Sequence, residues 1–135
     1  MKLHLSIITP SQVIYQGEVD EVIIPTEEGI IGVLPEHTPL LSKLVPGELE
    51  IKTKGQSQHL AVTGGFIEVS NNQLTILADY AIHAQDINIT KAEEAKKRAE
   101  KLMSEKVGDI DYAEIEKEFV RAIAELKVAR HYKPK

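Results

Sequence analysis

The hydrophobic period of this chain changes from two residues to 3.6 near residue 85, and this change limits the possible folds more than any other feature. Up to about Ala84, apolar and polar residues alternate. In "KLHLSI", for example, Leu3, Leu5 and Ile7 share one face. Such alternation is typical of β-strands that bury one side. From Thr90 onward, apolar residues recur at the spacing of an amphipathic helix. The sequence therefore predicts a β-domain followed by helices.

Turn signals divide the alternating region into short strands. "FIEVS" and "QLTILAD" are separated by Asn71-Asn72, a pair typical of a tight β-hairpin turn. "KTKGQSQ" contains another turn around Gly55. Turn signals recur about every 8–12 residues and separate roughly eight to ten strands, which is the spacing of an all-β sandwich or barrel. We therefore expect an N-terminal antiparallel β-sandwich.

The first helix is expected to begin at "TKAE", which has the spacing of a capping box. In this motif the Thr90 hydroxyl accepts from the amide of Glu93, and the Glu93 side chain reaches back. The helix should run to about Lys106 and end at Gly108, since glycine readily adopts the left-handed conformation that follows many helices.

A second helix is expected to start in the same way at "DYAE", Asp111 to Glu114, and to reach about His131, before Pro134. A connection of about four residues between two helices predicts an antiparallel two-helix hairpin.

Both helices carry an apolar seam with alternating spacings of three and four residues. The first seam is Ala92, Ala95, Ala99 and Leu102, and the second is Tyr112, Ile115, Phe119, Ala122, Leu126 and Ala129. Burying one methyl group stabilises a structure by only about 0.8 kcal/mol, so the alanine-rich seam should hold the hairpin weakly. Two interpretations remain open: an ordinary solvated hairpin, or a hairpin that detaches and rearranges.

The composition excludes several classes of protein. The chain has 135 residues, no cysteine and a net charge of −5. Thiolate metal sites and disulfides are therefore impossible. Neither a signal peptide nor a run of about 20 apolar residues is evident, so we expect a soluble chain that meets a membrane only through a partner. Residues 1–85 carry a net −6 and residues 86–135 a net +1. Nucleic-acid binding is not expected, whereas a basic tip could meet an acidic protein surface.

No catalytic or metal-binding constellation is present in the sequence. The five histidines lack ligand spacing, and "VTGGF" lacks the frame of a phosphate-binding loop. Glu27-Glu28 is expected to lie on a turn, and His37 is a structural or interface residue rather than a general base. We therefore expect a binding module that requires no cofactor and has no catalytic residue.

The segment "PTEEGIIGVLPEHTPLLSKL", residues 25–44, is too rich in proline and glycine for a helix and too apolar for a disordered loop. Its prolines lower the entropy cost of ordering. The aliphatic residues Ile30, Ile31, Val33 and Leu34 offer apolar contact. We interpret the segment as an interface loop, part of which enters the core.

Three stretches give the chain a family resemblance: "ITPSQVIYQGEVDEVIIPTEEGIIGVLPEHTPLL", "VTGGFIEVSNNQLTILADYA" and "QDINITKAEEAKKRAE", followed by "DIDYAE". With them the chain resembles the epsilon subunit of the bacterial F-type ATP synthase over essentially its whole length. The resemblance implies a noncatalytic subunit of the central rotor stalk, peripheral on the cytoplasmic face of the plasma membrane. It would couple proton-driven rotation to ATP synthesis.

The resemblance also implies two domains and their partners. The sandwich, residues 1–85, would bind the gamma subunit and rest on the ring of c subunits. The hairpin, residues 86–135, would either fold against the sandwich or extend into the alpha/beta catalytic head and block ATP hydrolysis. The implied gamma and rotor-ring interface comprises Glu28, Gly29, Ile30, Ile31, His37, Thr38 and Pro39. The cations implied to contact the beta subunit are Lys117, Arg121, Lys127 and Arg130.

Some bacterial members of this family bind ATP through an "I/L-D-x-x-R-A" element, and this gives an alternative function as an ATP sensor. The matching residues here include Asn88 in place of the carboxylate and Lys91 in place of the guanidinium. A lysine supplies a point charge rather than a bidentate fork. Arg98 and Arg121 still match arginines of that site. A third interpretation is a free-standing adaptor that dimerises through its hairpin.

Overall fold

The computed structural model describes residues 2–105 and 111–132. A short 3-10 helix, Ala84–Asp86, connects the strands to two helices, α1 (Ile89–Glu105) and α2 (Tyr112–His131). The ten strands are β1 (Leu3–Ile8), β2 (Val13–Val19), β3 (Glu21–Thr26), β4 (Gly29–Val33), β5 (Leu40–Leu44), β6 (Gly47–Thr53), β7 (Gln56–Val62), β8 (Gly65–Ser70), β9 (Gln73–Ala78) and β10 (Ala81–His83).

The strands form a sandwich of two layers. The pairing order is β10-β7-β6-β3-β5-β8-β9-β1-β2, with β4 added beside β3. β3 and β5 are joined by one residue pair, Thr26 and Leu44. At this pair the order of paired strands changes from one layer to the other. We call β10, β7, β6, β3 and β4 the first layer, and β5, β8, β9, β1 and β2 the second. The predicted fold class is confirmed, with one feature not anticipated: β1 and β9 pair in parallel.

The two turns expected from sequence are present. Asn71 and Asn72 connect β8 to β9 with φ angles of 51° and 61°, so both residues are left-handed, as a type I′ turn requires. Lys54 and Gly55 connect β6 to β7 with φ angles of 52° and 77°. In each hairpin the turn residues set the register of the flanking strands.

The core lies between the layers and is made of strand residues alone. Its fully buried large side chains are Leu3, Leu5, Ile7, Ile24, Leu49, Ile51, Leu60, Ile67, Leu74 and Ile76. Among the residues that the structure describes, no helical residue belongs to this core cluster. The alternation seen in the sequence thus corresponds to the inward and outward side chains of the sandwich.

The start of α1 differs from the expectation, whereas that of α2 agrees with it. The Asn88 side-chain oxygen accepts from the Lys91 amide at 3.0 Å, so Asn88 caps α1 and Thr90 lies inside the first turn. The capping box proposed at Thr90 is therefore wrong, because asparagine two residues earlier already satisfies the free amide. Asp111 caps α2 through the amides of Ala113 and Glu114. The expected helix end at Lys106 and Gly108, and Pro134, lie outside the described residues.

The helices form the expected antiparallel hairpin, with Arg98 of α1 3.7 Å from Glu118 of α2. Ala92 and Ala99 are buried on α1, and Ile115, Ala122 and Leu126 are buried on α2, as the seams predict. Tyr112 is 43% exposed and does not belong to the seam.

A second buried face of α2 was not evident from the seam. Ala124 and Val128 pack against Ala61 of β7 and Ala84, and this contact attaches the hairpin to the outer side of the first layer. The interface is rich in alanine, so its apolar contribution is small.

Because the sandwich core contains no helical residue, we expect residues 1–85 to fold without the hairpin. A chain truncated after residue 85 should melt cooperatively, since the surface that removal of the hairpin uncovers, around Ala61, Ile82 and Ala84, lies outside the sandwich core. Circular dichroism with thermal melting, with the full chain as control, measures this. A non-cooperative transition in the truncated chain would contradict the division into two domains.

Candidate functional site

The β3–β4 turn holds three of the residues expected at a partner interface, Glu28, Gly29 and Ile30. The Thr26 hydroxyl donates to the Gly29 carbonyl at 2.7 Å and accepts from the Glu28 amide at 3.2 Å. Gly29 has a φ of 114°, which disfavours a larger residue. Ile30 is 76% exposed. The turn therefore presents an apolar side chain on a well-defined backbone.

The loop that follows β4 contains His37, Thr38 and Pro39. The Glu36 amide donates to the Asn72 side chain at 2.9 Å, and Asn72 in turn donates to the Lys2 carbonyl at 2.7 Å. The His37 Nδ1 lies 2.7 Å from the Thr38 carbonyl, so this nitrogen donates. These bonds attach the loop to the margin of the second layer. The described residues around His37 show no catalytic arrangement.

Burial separates the core residues of this segment from its surface residues. Val33 is fully buried, and Ile31 and Leu40 pack partly against the core. Ile30 and Leu34 point to solvent. Ile31 is thus less accessible than a contact residue should be, whereas the rest of the expected interface is at the surface.

The two parts of the expected interface lie at opposite ends of β4. This strand spans Gly29–Val33, and five residues in a strand extend about 16 Å. The β3–β4 turn and the His37 loop are therefore separate surfaces and can meet different partners.

An apolar row on the outer face of the second layer was not recognised in the sequence. Phe66 pairs with Leu77, Leu77 lies beside Ile8, and Ile8 pairs with Val13. We call these four residues the apolar row. Phe66, Leu77 and Val13 are each more than half exposed. Lys43 stands at one end of the row, opposite Phe66.

The neighbouring row on the same face is mostly polar. It comprises Leu41, Glu68, Thr75, Ser6 and Gln16. A contiguous apolar strip with a polar margin is typical of a protein–protein interface. The sequence did contain a signal for the apolar row, namely apolar residues at positions that alternation directs outward. Phe66 in "FIEVS" and Leu77 in "QLTILAD" are two such residues. Strand pairing was needed to show that these residues are adjacent.

The apolar row and the hairpin occupy opposite sides of the sandwich. The hairpin covers β6 and β7 of the first layer, whereas the row crosses β8, β9, β1 and β2 of the second. The row therefore lies away from the face that the hairpin covers, although Pro10, close to Ile8 in sequence, lines a cleft together with α2.

The four cations expected to contact the beta subunit have different surroundings. Lys117 is exposed and 3.7 Å from Glu114, and Arg130 is exposed beside a shallow groove between the helices. Lys127 lines a cleft of about 420 Å³ that also contains Ile30 and Glu48. The guanidinium of Arg121 lies 4.1 Å from the centre of the Tyr80 ring. In the docked hairpin, Arg121 and Lys127 thus line clefts against the sandwich. Lys117 also lines such a cleft, with Pro10 and Gly64, whereas Arg130 lies at the groove between the helices.

Tyr80 connects the sandwich to the middle of α2. Its hydroxyl donates to Glu125 at 3.0 Å. Burial, assisted by the neighbouring Glu125 carboxylate, raises the pKa of Tyr80 to about 12, so the hydroxyl remains a donor at any physiological pH. Burial also raises the pKa of Glu125. Together with the Arg121–Tyr80 cation–π contact, this hydrogen bond stabilises docking of the hairpin.

The residues considered for ATP binding do meet in one place. Asn88, Lys91, Arg98 and Arg121 line a cleft of about 490 Å³ between Tyr80 and the two helices. The same cleft also contains four carboxylates, those of Asp86, Glu94, Glu118 and Glu125.

The side chains in this cleft suit a polyphosphate poorly. Carboxylates outnumber the cations, and Arg98 is already near Glu118. The Asn88 oxygen is occupied as a helix cap.

Residues 2–105 and 111–132 include no cluster of histidine and acidic side chains suited to a metal ion. Nor is either described helix long and apolar enough to cross a membrane.

Comparison with known proteins agrees with this architecture in both parts of the chain. Residues 2–84 match the family described as ATP synthase, Delta/Epsilon chain, beta-sandwich domain. Residues 85–130 match the family described as ATP synthase, Delta/Epsilon chain, long alpha-helix domain. Among solved structures, a chain of the Euglena gracilis mitochondrial ATP synthase has a TM-score of 0.67 at 24% identity, covering 96% of this chain and 78% of that one. A chain of the Tetrahymena thermophila mitochondrial ATP synthase central stalk and c-ring has a TM-score of 0.59 at 17% identity, covering 97% and 96%.

Curated relatives are similar over nearly their full length. The ATP synthase epsilon chain of Nitratidesulfovibrio vulgaris is 43% identical over 126 residues, 93% of this chain and 94% of the relative. That of Herpetosiphon aurantiacus is 43% identical over 130 residues, 96% of each. With family models that match both its sandwich and its helices, this chain belongs to the epsilon-subunit family of the F-type ATP synthase.

Proposed function

We propose that this chain is a noncatalytic subunit of the rotor stalk, that it couples proton-driven rotation to ATP synthesis, and that its hairpin restrains ATP hydrolysis. The observation that carries the proposal is the placement of two features on opposite sides of one sandwich. An exposed apolar row lies on the second layer, and a weakly docked helix that carries four lysine and arginine side chains lies on the first. A stable rotor contact and a movable regulatory helix can therefore operate independently.

The sandwich would bind two partners through separate surfaces. The apolar row is suited to the gamma subunit, with the His37 loop at the margin of the same layer. The exposed Ile30 in the β3–β4 turn would meet the ring of c subunits. This division follows from the length of β4, which separates the turn from the loop. Through these contacts the chain would be held at the cytoplasmic face of the bacterial membrane.

The hairpin would inhibit when it leaves the sandwich and inserts α2 into the alpha/beta catalytic head. The small alanine contact at Ala61 and Ala84 and the few polar contacts, among them the Tyr80–Glu125 hydrogen bond, support a reversible attachment. On detachment, Arg121 and Lys127 would become available to acidic residues of the beta subunit, together with Lys117 and Arg130.

Replacement of the four cations by alanine should relieve inhibition of ATP hydrolysis. The variant carries Lys117→Ala, Arg121→Ala, Lys127→Ala and Arg130→Ala. One exposed ion pair contributes only about 0–1 kcal/mol, but four in a partly desolvated cleft can sum to a few kcal/mol. High salt should reduce inhibition by the native chain in the same direction, since it screens exposed charges. The measurement is the ATPase rate of the reconstituted catalytic head across ionic strength.

A control with the same change in charge is available on α1. It carries Lys91→Ala, Lys96→Ala, Lys97→Ala and Lys101→Ala. This control should inhibit like the native chain. Equal inhibition by the native chain and the α2 variant at every salt concentration would show that charge does not dock this helix in the head.

A further inference from the structure

One carboxylate of the sandwich binds two histidines, one of which belongs to the hairpin. Oε2 of Glu48, on β6, lies 2.7 Å from Nδ1 of His59 on β7. Oε1 of Glu48 lies 2.8 Å from Nδ1 of His131, the last residue of α2. Glu48 and His131 are 83 residues apart in the sequence. The three side chains thus form a bridge between the sandwich and the free end of the hairpin.

The strength of this bridge depends on protonation of the imidazoles. A carboxylate only accepts hydrogen bonds, so each Nδ1 must carry a proton. A neutral imidazole can supply that proton, but an imidazolium makes a charge-assisted bond that is roughly twice as strong. His131 also lies at the C-terminal end of α2, where the helix dipole favours a cation.

The other charged groups around the bridge are few. Glu50 on β6 is the cross-strand partner of His59, and it favours a cation there. Lys127 of α2 lines the same cleft as Glu48 and His131 and opposes a cation. His83 of β10 lies near His59 in a small pocket that also includes Tyr132. Arg130 precedes His131 on α2 and is exposed. Glu48 itself is mostly buried, so its charge is only partly screened.

We propose that Glu48, His59 and His131 form a proton-sensitive latch that holds the hairpin against the sandwich more firmly as the pH falls. Imidazoles ordinarily titrate near pH 6.5, within the range that a cell experiences. When an imidazolium loses its proton as the pH rises, its bond to Glu48 loses the charge assistance, and detachment of α2 becomes easier. The consequence for regulation rests on the proposed function: the hairpin would reach the catalytic head more readily at alkaline pH.

Hydrogen–deuterium exchange of the isolated chain tests the latch directly. The quantity measured is the protection factor of α2 amides, compared between the native chain and His131→Gln at the same pH, so that intrinsic exchange rates cancel. Glutamine can still donate to Glu48 but does not titrate. We expect the ratio of native to variant protection to be near one at pH 8.0 and about three- to fivefold at pH 6.0. Glu125, whose raised pKa would also strengthen docking at lower pH, is present in both chains, so its effect cancels from the ratio.

Two further variants show whether the latch is specific. Glu48→Gln removes the negative charge and one of the two acceptor oxygens that the histidines use. The ratio of native to Glu48→Gln protection should therefore depend on pH at least as strongly. His4→Gln serves as the matched control, because His4 is exposed on β1 and its nearest carboxylate is Glu18 at 3.9 Å. Its ratio should stay near one at both pH values. A His131→Gln ratio that is equal at pH 6.0 and 8.0 would overturn the proposal. Since the assay uses no catalytic head, this result is independent of whether the hairpin inhibits ATP hydrolysis.

Discussion

Leu77→Asp should weaken binding of the gamma subunit by about 30-fold or more while the sandwich remains folded. Leu77 is the best position because it lies between Phe66 and Ile8 in the apolar row and is 51% exposed in the free chain. In the complex the carboxylate of the new aspartate would be buried among apolar groups without a partner. The loss of binding free energy from such a change at the centre of an interface reaches about 2 kcal/mol or more. Phe66→Asp is a poorer test, because it would place a carboxylate beside Lys43.

The binding constant can be measured by titrating gamma-containing catalytic head that lacks this subunit with labelled chain. Gln73→Asp is the matched control, since Gln73 is exposed on the same strand but lies outside the apolar row. It should bind like the native chain, and both variants should keep a melting temperature near the native value. Native-like binding by folded Leu77→Asp would remove the apolar row from the interface with gamma.

Gly65→Ala should lower the free energy of unfolding by more than about 3 kcal/mol, because both backbone strain and a steric clash oppose the new methyl group. Gly65 has a φ of 153°, and a Cβ built there would lie 2.0 Å from the Leu77 carbonyl oxygen. That oxygen belongs to the backbone of the paired strand β9, so it cannot move without disturbing the sheet. Urea denaturation measures the change.

Gly64→Ala provides a close comparison, because Gly64 precedes Gly65 in the same "VTGGF" segment. A Cβ at Gly64 would meet its nearest atom, Oδ2 of Asp79, at an ordinary contact distance of 3.5 Å. We expect a loss of less than about 1 kcal/mol, within the usual range for a surface change. Equal unfolding midpoints for the two variants would show that strand pairing does not constrain Gly65.

The sequence by itself determined the features that depend on neighbouring residues. Alternation along single strands identified the inward side chains, such as Leu3, Leu5 and Ile7. Asn71-Asn72 formed the expected turn, because two left-handed residues are the local requirement of that hairpin. Asp111 capped α2 as expected, since a cap needs only amides two and three residues away.

Only the tertiary structure decided which distant residues meet. The apolar row depends on the register of four strands, and the parallel pairing of β1 with β9 brings Ile8 beside Leu77. The docking face of α2 at Ala124 and Val128 requires a partner surface on β7, and the bridge from Glu48 to His131 requires the hairpin to be docked. Periodicity shows which side of an element is apolar. It carries no information about the element against which that side packs, because strand register and helix docking are set by long-range packing.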